Sequence, residues 1–255
     1  MTSLAIVGAS GRMGQALVVG LHAMDGFEVR VLVDLHEPRA DPHSGWAQHL
    51  ADVDPDSIDA VVDFSSAEGV VASARWCASH TKALVIGTTG LDGAQIAEVE
   101  RAATRTRVVM AANFSVGAVL AERFAAIAAP YFERVEIIEL HHDRKVDAPS
   151  GTSIGAARAI VAARAAHGLA PMVDPTTRST LEGSRGADVE GLRIHSVRLP
   201  GLVAHQEILF GGPGEGLTIR HDSFDRQSFV QGVALALVSM PATPGLTVGI
   251  ESFLV

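Results

Sequence analysis

The sequence predicts an α/β chain of two domains, the first built on a parallel sheet and the second an α+β domain on a mixed or antiparallel sheet. Three observations carry this. β-Branched apolar runs alternate with helix-patterned stretches up to about residue 115, the rhythm of βαβ units. Beyond that point the order becomes helix, strand, long helix, and then strand-like runs separated by short glycine turns. Aromatic residues are only 5% of a chain that is 47% hydrophobic, so the core rests on Ala, Val, Leu and Ile, as where helices pack on a parallel sheet.

SLAIVG (3–8) is an apolar run closed by glycine and reads as a buried strand. RMGQALVVGLHAM (12–24) has helical spacing, EVRVLVD (28–34) is a β-branched strand ending in an acid, and IDAVVDF (58–64) is a third strand. EGVVASARWCASH (68–80) is helical, KALVIGTTG (82–90) a strand running into a turn, GAQIAEVERAATR (93–105) a helix and RVVMAANF (107–114) a strand. In the second part, 117–132 is a helix, RVEIIELHH (134–142) a strand by its alternation, and 150–168 a long helix. Residues 168–188, rich in Gly, Pro, Ser and Thr, form an extended loop. The three runs within 192–223 follow almost directly on one another, which predicts antiparallel pairing among them. A helix at about 225–240 leads to the tail GLTVGIESFLV.

Composition excludes several functions. A net charge of −9 argues against general nucleic-acid binding, which needs a basic surface, while leaving room for a local basic pocket. One cysteine, Cys77, rules out internal disulfides and cysteine-based metal sites. The opening residues MTSLAIVGAS carry no basic cluster before a long apolar run, and no window holds roughly 18 unbroken apolar residues. A cytoplasmic protein without a membrane partner is therefore expected.

VGASGRMG sets Gly8, Gly11 and Gly14 at the first strand-to-helix turn. Glycines there permit a tight turn and let a pyrophosphate approach amides at a helix N-terminus. The spacing is G-x-x-G-x-x-G, with Ala9 where the usual dinucleotide fingerprint has glycine. Asp34, ending the second strand, is suitably placed for a carboxylate that binds ribose hydroxyls. The bland alternative is a structural turn and a solvated acid. Asp34 favours NAD, and Arg12 leaves NADP open. GTTG (87–90) and AANF (111–114) end later strands, where ligands of open α/β sheets lie, although each alone reads equally well as an ordinary turn.

ELHHDRKVDAPSGTS (139–153) concentrates two histidines, basic residues and a turn. Adjacent histidines on a strand diverge, and only Asp143 and Asp147 stand nearby as further ligands, so no metal site is expected. Ser150 is a candidate N-cap, with Gly151 and Thr152 beginning a helix. Two readings stay open on spacing alone. One is a helix cap beside solvated cations. The other is an anion site of helix amides, hydroxyls and the Lys145 ammonium, with a histidine as proton donor near neutral pH. No G-x-S-x-G elbow supports a serine hydrolase. His205 reads as a packed strand residue.

These residues resemble the 4-hydroxy-tetrahydrodipicolinate reductase (dihydrodipicolinate reductase) family in its actinobacterial form. The long stretch matches the family signature E-x-H-H-x-x-K-x-D-A-P-S-G-T. VGASGRMG, GTTG, AANFSVG, GLVAHQEILFG and LTIRHDSFDR extend the similarity over nearly the whole chain. One departure is DFSSAEG (63–69), where the family usually has D-F-T-x-P; Ser65 keeps a hydroxyl.

The resemblance implies a Rossmann-type dinucleotide-binding domain over 1–115, rejoined by 227–255, and a substrate-binding and tetramerisation domain over 116–226. It implies a homotetramer, NADH or NADPH as hydride donor, no metal, and a cyclic imine dicarboxylate as substrate in the diaminopimelate route to lysine. By matching motif, His141 is the acid–base residue and Lys145 the second catalytic residue, while His142, Ser150, Gly151 and Thr152 bind substrate. Gly8, Ala9, Ser10, Gly11, Arg12, Met13, Asp34, Gly87, Thr88, Thr89, Ala111, Ala112, Asn113 and Phe114 line the cofactor site. Another two-domain nicotinamide dehydrogenase of amino-acid metabolism shares the N-terminal half but has no need of the histidine block. A non-catalytic dinucleotide-sensing protein leaves the His141/Lys145 pair unexplained.

Overall fold

The computed structural model describes residues 1–38 and 44–254. The chain forms two compact units, one of Met1–Val116 with Arg226–Val255 and the other of Gly117–Asp225.

The first unit alternates strand and helix: β1 (Thr2–Val7), α1 (Arg12–His22), β2 (Phe27–Val33), β3 (Gly45–Ala47), β4 (Ala60–Asp63), α2 (Ala67–His80), β5 (Ala83–Ile86), α3 (Gly93–Ala103) and β6 (Arg107–Met110). In the second unit come α4 (Val116–Ala128, reaching back one residue), β7 (Arg134–His141), α5 (Gly151–Ala166), β8 (Ala187–Val189), β9 (Leu192–Arg198), β10 (Ala204–Gly212) and β11 (Glu215–Ser223). The first unit is completed by α6 (Val230–Ser239) and β12 (Gly245–Val248).

The first unit's sheet has seven strands in the order β12-β6-β5-β4-β1-β2-β3, and every neighbouring pair is parallel. Ala5 and Val7 of β1 join a cluster with Val70, Ala74 and Cys77 of α2 and Val99 of α3. Leu4 and Ile6, fully buried, point to the opposite face by strand alternation. Helices on both faces explain why β4 and β5 are buried at every position. α1 and α6 touch at Gly20, where an added Cβ would lie 2.6 Å from Val230. The tail, unassigned by local pattern, supplies β12 as an edge strand beside β6.

The second unit's sheet has five strands in the order β11-β10-β7-β9-β8 and is mixed. This corrects one expectation. Only β10 and β11 of the three runs in 192–223 form an antiparallel pair with each other; β9 runs parallel to β7. β7 lies between β9 and β10, antiparallel to β10. The physical cause is the pattern of β7, whose Val135, Ile137 and Glu139 are buried between neighbours on both sides, as befits a central strand. Residues 199–203 therefore cross over the end of β7. His141 is registered with Arg198 on one side and Ala204 on the other, and Leu199 N–H donates to the His141 carbonyl at 3.1 Å. Val135, Ile137, Ile194, Ile208 and Phe210 meet Ala156, Ala157 and Ile160 of α5 in this unit's core.

Candidate active site

Polar groups gather at the glycine loop of the first unit and at the end of β7 in the second. In the first unit, the glycine loop joins β1 to α1. Gly8 has φ of +82°, and a Cβ there would lie 2.6 Å from the Phe64 carbonyl oxygen. A Cβ on Gly14 would lie 2.2 Å from the Gly8 carbonyl oxygen, so glycine lets the helix start against the strand. Ala9, the departure from the usual fingerprint, is fully buried, so its methyl faces the interior. Ser10 N–H donates to the Asp34 carboxylate at 2.9 Å, which ties the loop to the end of β2. Arg12 is exposed at the start of α1 and Met13 is half-buried behind it.

Gly8, Ser10, Gly11 and Asp34 open on a cavity of about 680 Å³, together with Leu50, Phe64, Ser65 and Trp76. The last four were passed over or noted only as a departure in the sequence, because a wall built from separate loops leaves no spacing signal. The departure at Ser65 has a structural partner: Ser65 N–H and Oγ–H donate to Oδ1 of Asp63 at 2.9 and 2.7 Å. Ser73 Oγ–H donates to the other oxygen at 2.5 Å, and Thr88 reaches the same carboxylate at 3.3 Å. Asp63 is fully buried, and burial pushes its pKa up against these hydrogen bonds. It thus fastens the loop after β4 to the GTTG loop.

Gly87 N–H donates to the Asp63 carbonyl at 2.9 Å, and a Cβ on Gly87 would fall 2.0 Å from the Phe64 ring. Thr89 is exposed beyond it. In AANF, the side chains of Ala111 and Phe114 are buried, Phe114 packing against Phe64 with ring centroids 5.7 Å apart. Asn113 accepts from Ser115 N–H at 2.9 Å, and Ala112 is exposed. Ala9, Ala111 and Phe114 therefore offer a ligand only backbone.

In the second unit, β7 ends at His141. Period two sets Glu139 and His141 on one face, and Glu139 is fully buried. His141 Nδ1 is hydrogen-bonded to Glu139 Oε2. Arg198 grips Glu139 with two bonds, 2.9 Å to Oε2 and 2.8 Å to Oε1, and donates to the Asp147 carbonyl at 2.7 Å. Burial alone would raise the Glu139 pKa, but hydrogen bonds from Arg198, Ser196 and His141 outweigh it and hold the carboxyl below its usual range. For His141, burial lowers the pKa, Glu139 pulls it back up, and the nearby Lys145 and Arg198 charges lower it again. The net direction is down, which corrects the expectation of an ordinary histidine. Glu139 and Arg198 were given no role by sequence reasoning. The E-x-H alternation was the available signal for the first, and nothing local announces the second.

Lys145 Nζ pairs with both oxygens of Asp147 at 2.9 and 2.8 Å, and its side chain is 21% exposed. His142 lies just past the strand, and its Nδ1 is buried without a hydrogen-bond partner among the described residues. Ser150 is the N-cap of α5, its Oγ accepting from Ser153 N–H at 3.2 Å. Its side chain is buried, so the helix-cap reading describes the hydroxyl, while Gly151 and Thr152 stand exposed at the first turn. Ser153 Oγ–H donates to Gln206 at 2.6 Å, and Gln206 is registered opposite Glu139. That buried link brings the N-terminus of α5 to the same end of the sheet as His141. His205 faces the other side, its Nδ1 2.7 Å from Asp222. Among the described residues, no group of three or more His, Cys, Asp or Glu is arranged to hold a metal ion, and no helix is long and apolar enough to cross a membrane.

Comparison with known proteins covers the whole chain. Residues 2–114 match the family model "Dihydrodipicolinate reductase, N-terminus", and 117–254 match "Dihydrodipicolinate reductase, C-terminus". A 4-hydroxy-tetrahydrodipicolinate reductase of Nocardia farcinica is 45% identical over 252 residues, covering 98% of this chain and 97% of the relative. One of Thermobifida fusca is 45% identical over 258 residues, covering 100% of this chain and 99% of the relative. A dipicolinate-bound dihydrodipicolinate reductase from Paenisporosarcina sp. TG-14 superposes with a TM-score of 0.88 at 37% identity, covering 100% of both chains. A probable dehydrogenase of Thermotoga maritima, 14% identical at a TM-score of 0.63 over 98% of this chain and 92% of its own, shares the fold alone.

Proposed function

This chain belongs to the dihydrodipicolinate reductase family, and from that premise we propose how its own residues divide the work. The protein is an oxidoreductase that uses NAD(P)H to reduce 4-hydroxy-tetrahydrodipicolinate, by way of dihydrodipicolinate, to tetrahydrodipicolinate in the diaminopimelate route to lysine.

The glycine-closed loop, the cavity beside it and the Asp34 carboxylate fit a dinucleotide. Gly8 to Met13 line the pyrophosphate site, where the first-turn amides of Arg12 and Met13 at the start of α1 donate to it, and Asp34 accepts the ribose hydroxyls of the adenosine half. Gly87, Thr88, Thr89 and the backbone of 111–114 form the other wall. When bound, the cofactor supplies a hydride to ring C4 of the conjugated, dehydrated substrate. Arg12, exposed at the loop, tolerates a 2′-phosphate, so both cofactors serve and NADH is at least as good.

Substrate carboxylates are held by His142, by the amides and hydroxyl of Gly151 and Thr152 at the start of α5, and by Lys145. Among the described residues the buried Nδ1 of His142 has no hydrogen-bond partner, which supports this reading. Ser150 acts by capping the helix that presents those amides. Lys145 exchanges its exposed partner Asp147 for the substrate. His141, protonated at Nε2, delivers the proton that quenches the charge developing through the conjugated system. The single observation that carries the assignment is the orientation of His141, tethered through Nδ1 to a buried carboxylate at the strand end where α5 begins.

The protein works in the cytoplasm as a homotetramer. The face of the second sheet turned away from α5 carries Ile138, Leu140, Val197 and Leu209, each only partly buried in the single chain, and self-association would cover them.

A coupled assay tests the whole reading. The preceding synthase generates the substrate while NADH and NADPH absorbance are followed. Oxidation of both is expected, with Asp34→Ala weakening NADH binding more than NADPH binding. Oxidation of neither would overturn the function, and the reverse order of losses would overturn the role of Asp34.

A further inference from the structure

The buried carboxylate behind His141 has a role that its neighbours define. Glu139 cannot meet solvent, yet it is held ionised by a two-pronged Arg198, and its remaining capacity is shared between Ser196 and His141 Nδ1. Arg198 in turn is anchored at the Asp147 carbonyl, so the clamp spans β7, β9 and the loop that bears Lys145. This is more than packing requires, since a buried ion pair is seldom a source of net stability.

We propose that Glu139, clamped by Arg198, is a positioning residue for His141: it fixes the neutral imidazole as the Nδ1–H tautomer, aims Nε2 at the substrate, and stabilises the imidazolium. The inference rests on the reading of His141 as proton donor. In the step, the Nε2–H bond breaks as the hydride-bearing substrate gains that proton. His141 becomes neutral, keeping its Nδ1 proton on the bond to Glu139, and Glu139 stays ionised throughout. A carboxylate orients a metal-bound or catalytic imidazole in the same physical way elsewhere.

The charged groups facing His141 are Glu139 on its own strand, Arg198 on β9, and Lys145 with its partner Asp147 in the following loop. On β10 the registered residue is the uncharged Ala204, while His205 and Asp222 lie on the other face. α5 contributes the neutral Ser150 and Ser153. Glu139 is thus the one carboxylate bonded directly to the ring among the described residues, and removing it leaves Arg198 and Lys145 to disfavour the imidazolium.

The test compares wild type, His141→Gln and Glu139→Gln. Glu139→Gln is expected to lower kcat about 10- to 100-fold with little change in KM for either substrate. The alkaline fall of its kcat/KM should move to lower pH by about one unit. Glu139→Asp should recover part of both. Imidazole nitrogen shifts of wild-type His141, measured by NMR on the folded protein, should report the Nδ1–H tautomer when neutral. A neutral wild-type ring protonated at Nε2 overturns the proposal even if Glu139→Gln does not fold. An unchanged pH profile and kcat in Glu139→Gln overturns it as well. Near-normal turnover of His141→Gln instead overturns the underlying assignment of His141.

Discussion

At the residue scale, the proposed chemistry rests on a few side chains whose environments differ sharply. His141 is partly buried, tethered and biased towards its neutral form, while Lys145 is a partly exposed side chain on a loop, paired with Asp147. His141→Gln should keep the fold and lose the proton donor, lowering turnover about 10²- to 10⁴-fold. Lys145→Ala should raise KM for the dicarboxylate, because a charge-assisted contact is lost. NADH affinity should be nearly unchanged in both, since neither residue belongs to the glycine-loop unit. Steady-state kinetics paired with NADH titration checks this, and near-normal turnover in both variants would sink the mechanism. The direction of the His141 shift also sets a pH dependence. The step needs the imidazolium, which is complete at low pH and lost as pH rises through the folded-state value. That value lies below the ordinary 6.5, so the alkaline fall of kcat/KM should begin on the acid side of 6.5. A plateau of kcat/KM that extends well above pH 7 would contradict it.

At the element scale, short segments hold each site by close approach. The fold brings Phe64, at the end of β4, against the turn after β5 so tightly that Gly87 has no room for a methyl group. Asp63 secures the same two segments through Ser65, Ser73 and Thr88. Gly87→Ala should therefore displace the Phe64 ring, weaken NADH binding and lower the melting temperature, with overpacking typically costing about 1–3 kcal/mol. Calorimetry with and without NADH reads both effects; a variant with wild-type melting and affinity would show that the contact is not tight. The glycine loop, the Asp34 strand end and the Ser150 cap were legible from sequence because each is a local rule of turn, strand end or helix start. The clamp on Glu139 was not, because Arg198 reaches it across a ladder whose register no single segment encodes.

At the scale of the whole molecule, each unit has its own apolar core, and the second leaves a sheet face with apolar residues between polar and ionic side-chain pairs. Light scattering at micromolar concentration should return a tetramer, and a monomer would refute the assembly. The sequence by itself determined the alternation of strands and helices, the glycines of the first strand-to-helix turn, the helix opened by Ser150-Gly151-Thr152, and the family. All of these depend on residues close in the chain, where sterics and periodicity act directly. Tertiary structure alone decided that β9 lies beside β7 and not beside β10, that the tail adds a strand next to β6, and that Glu139 and Arg198 stand behind His141. The physical reason is that strand order follows from which apolar faces can be buried together. That is a property of the assembled sheet, and only there does a buried carboxylate acquire the arginine that keeps it charged.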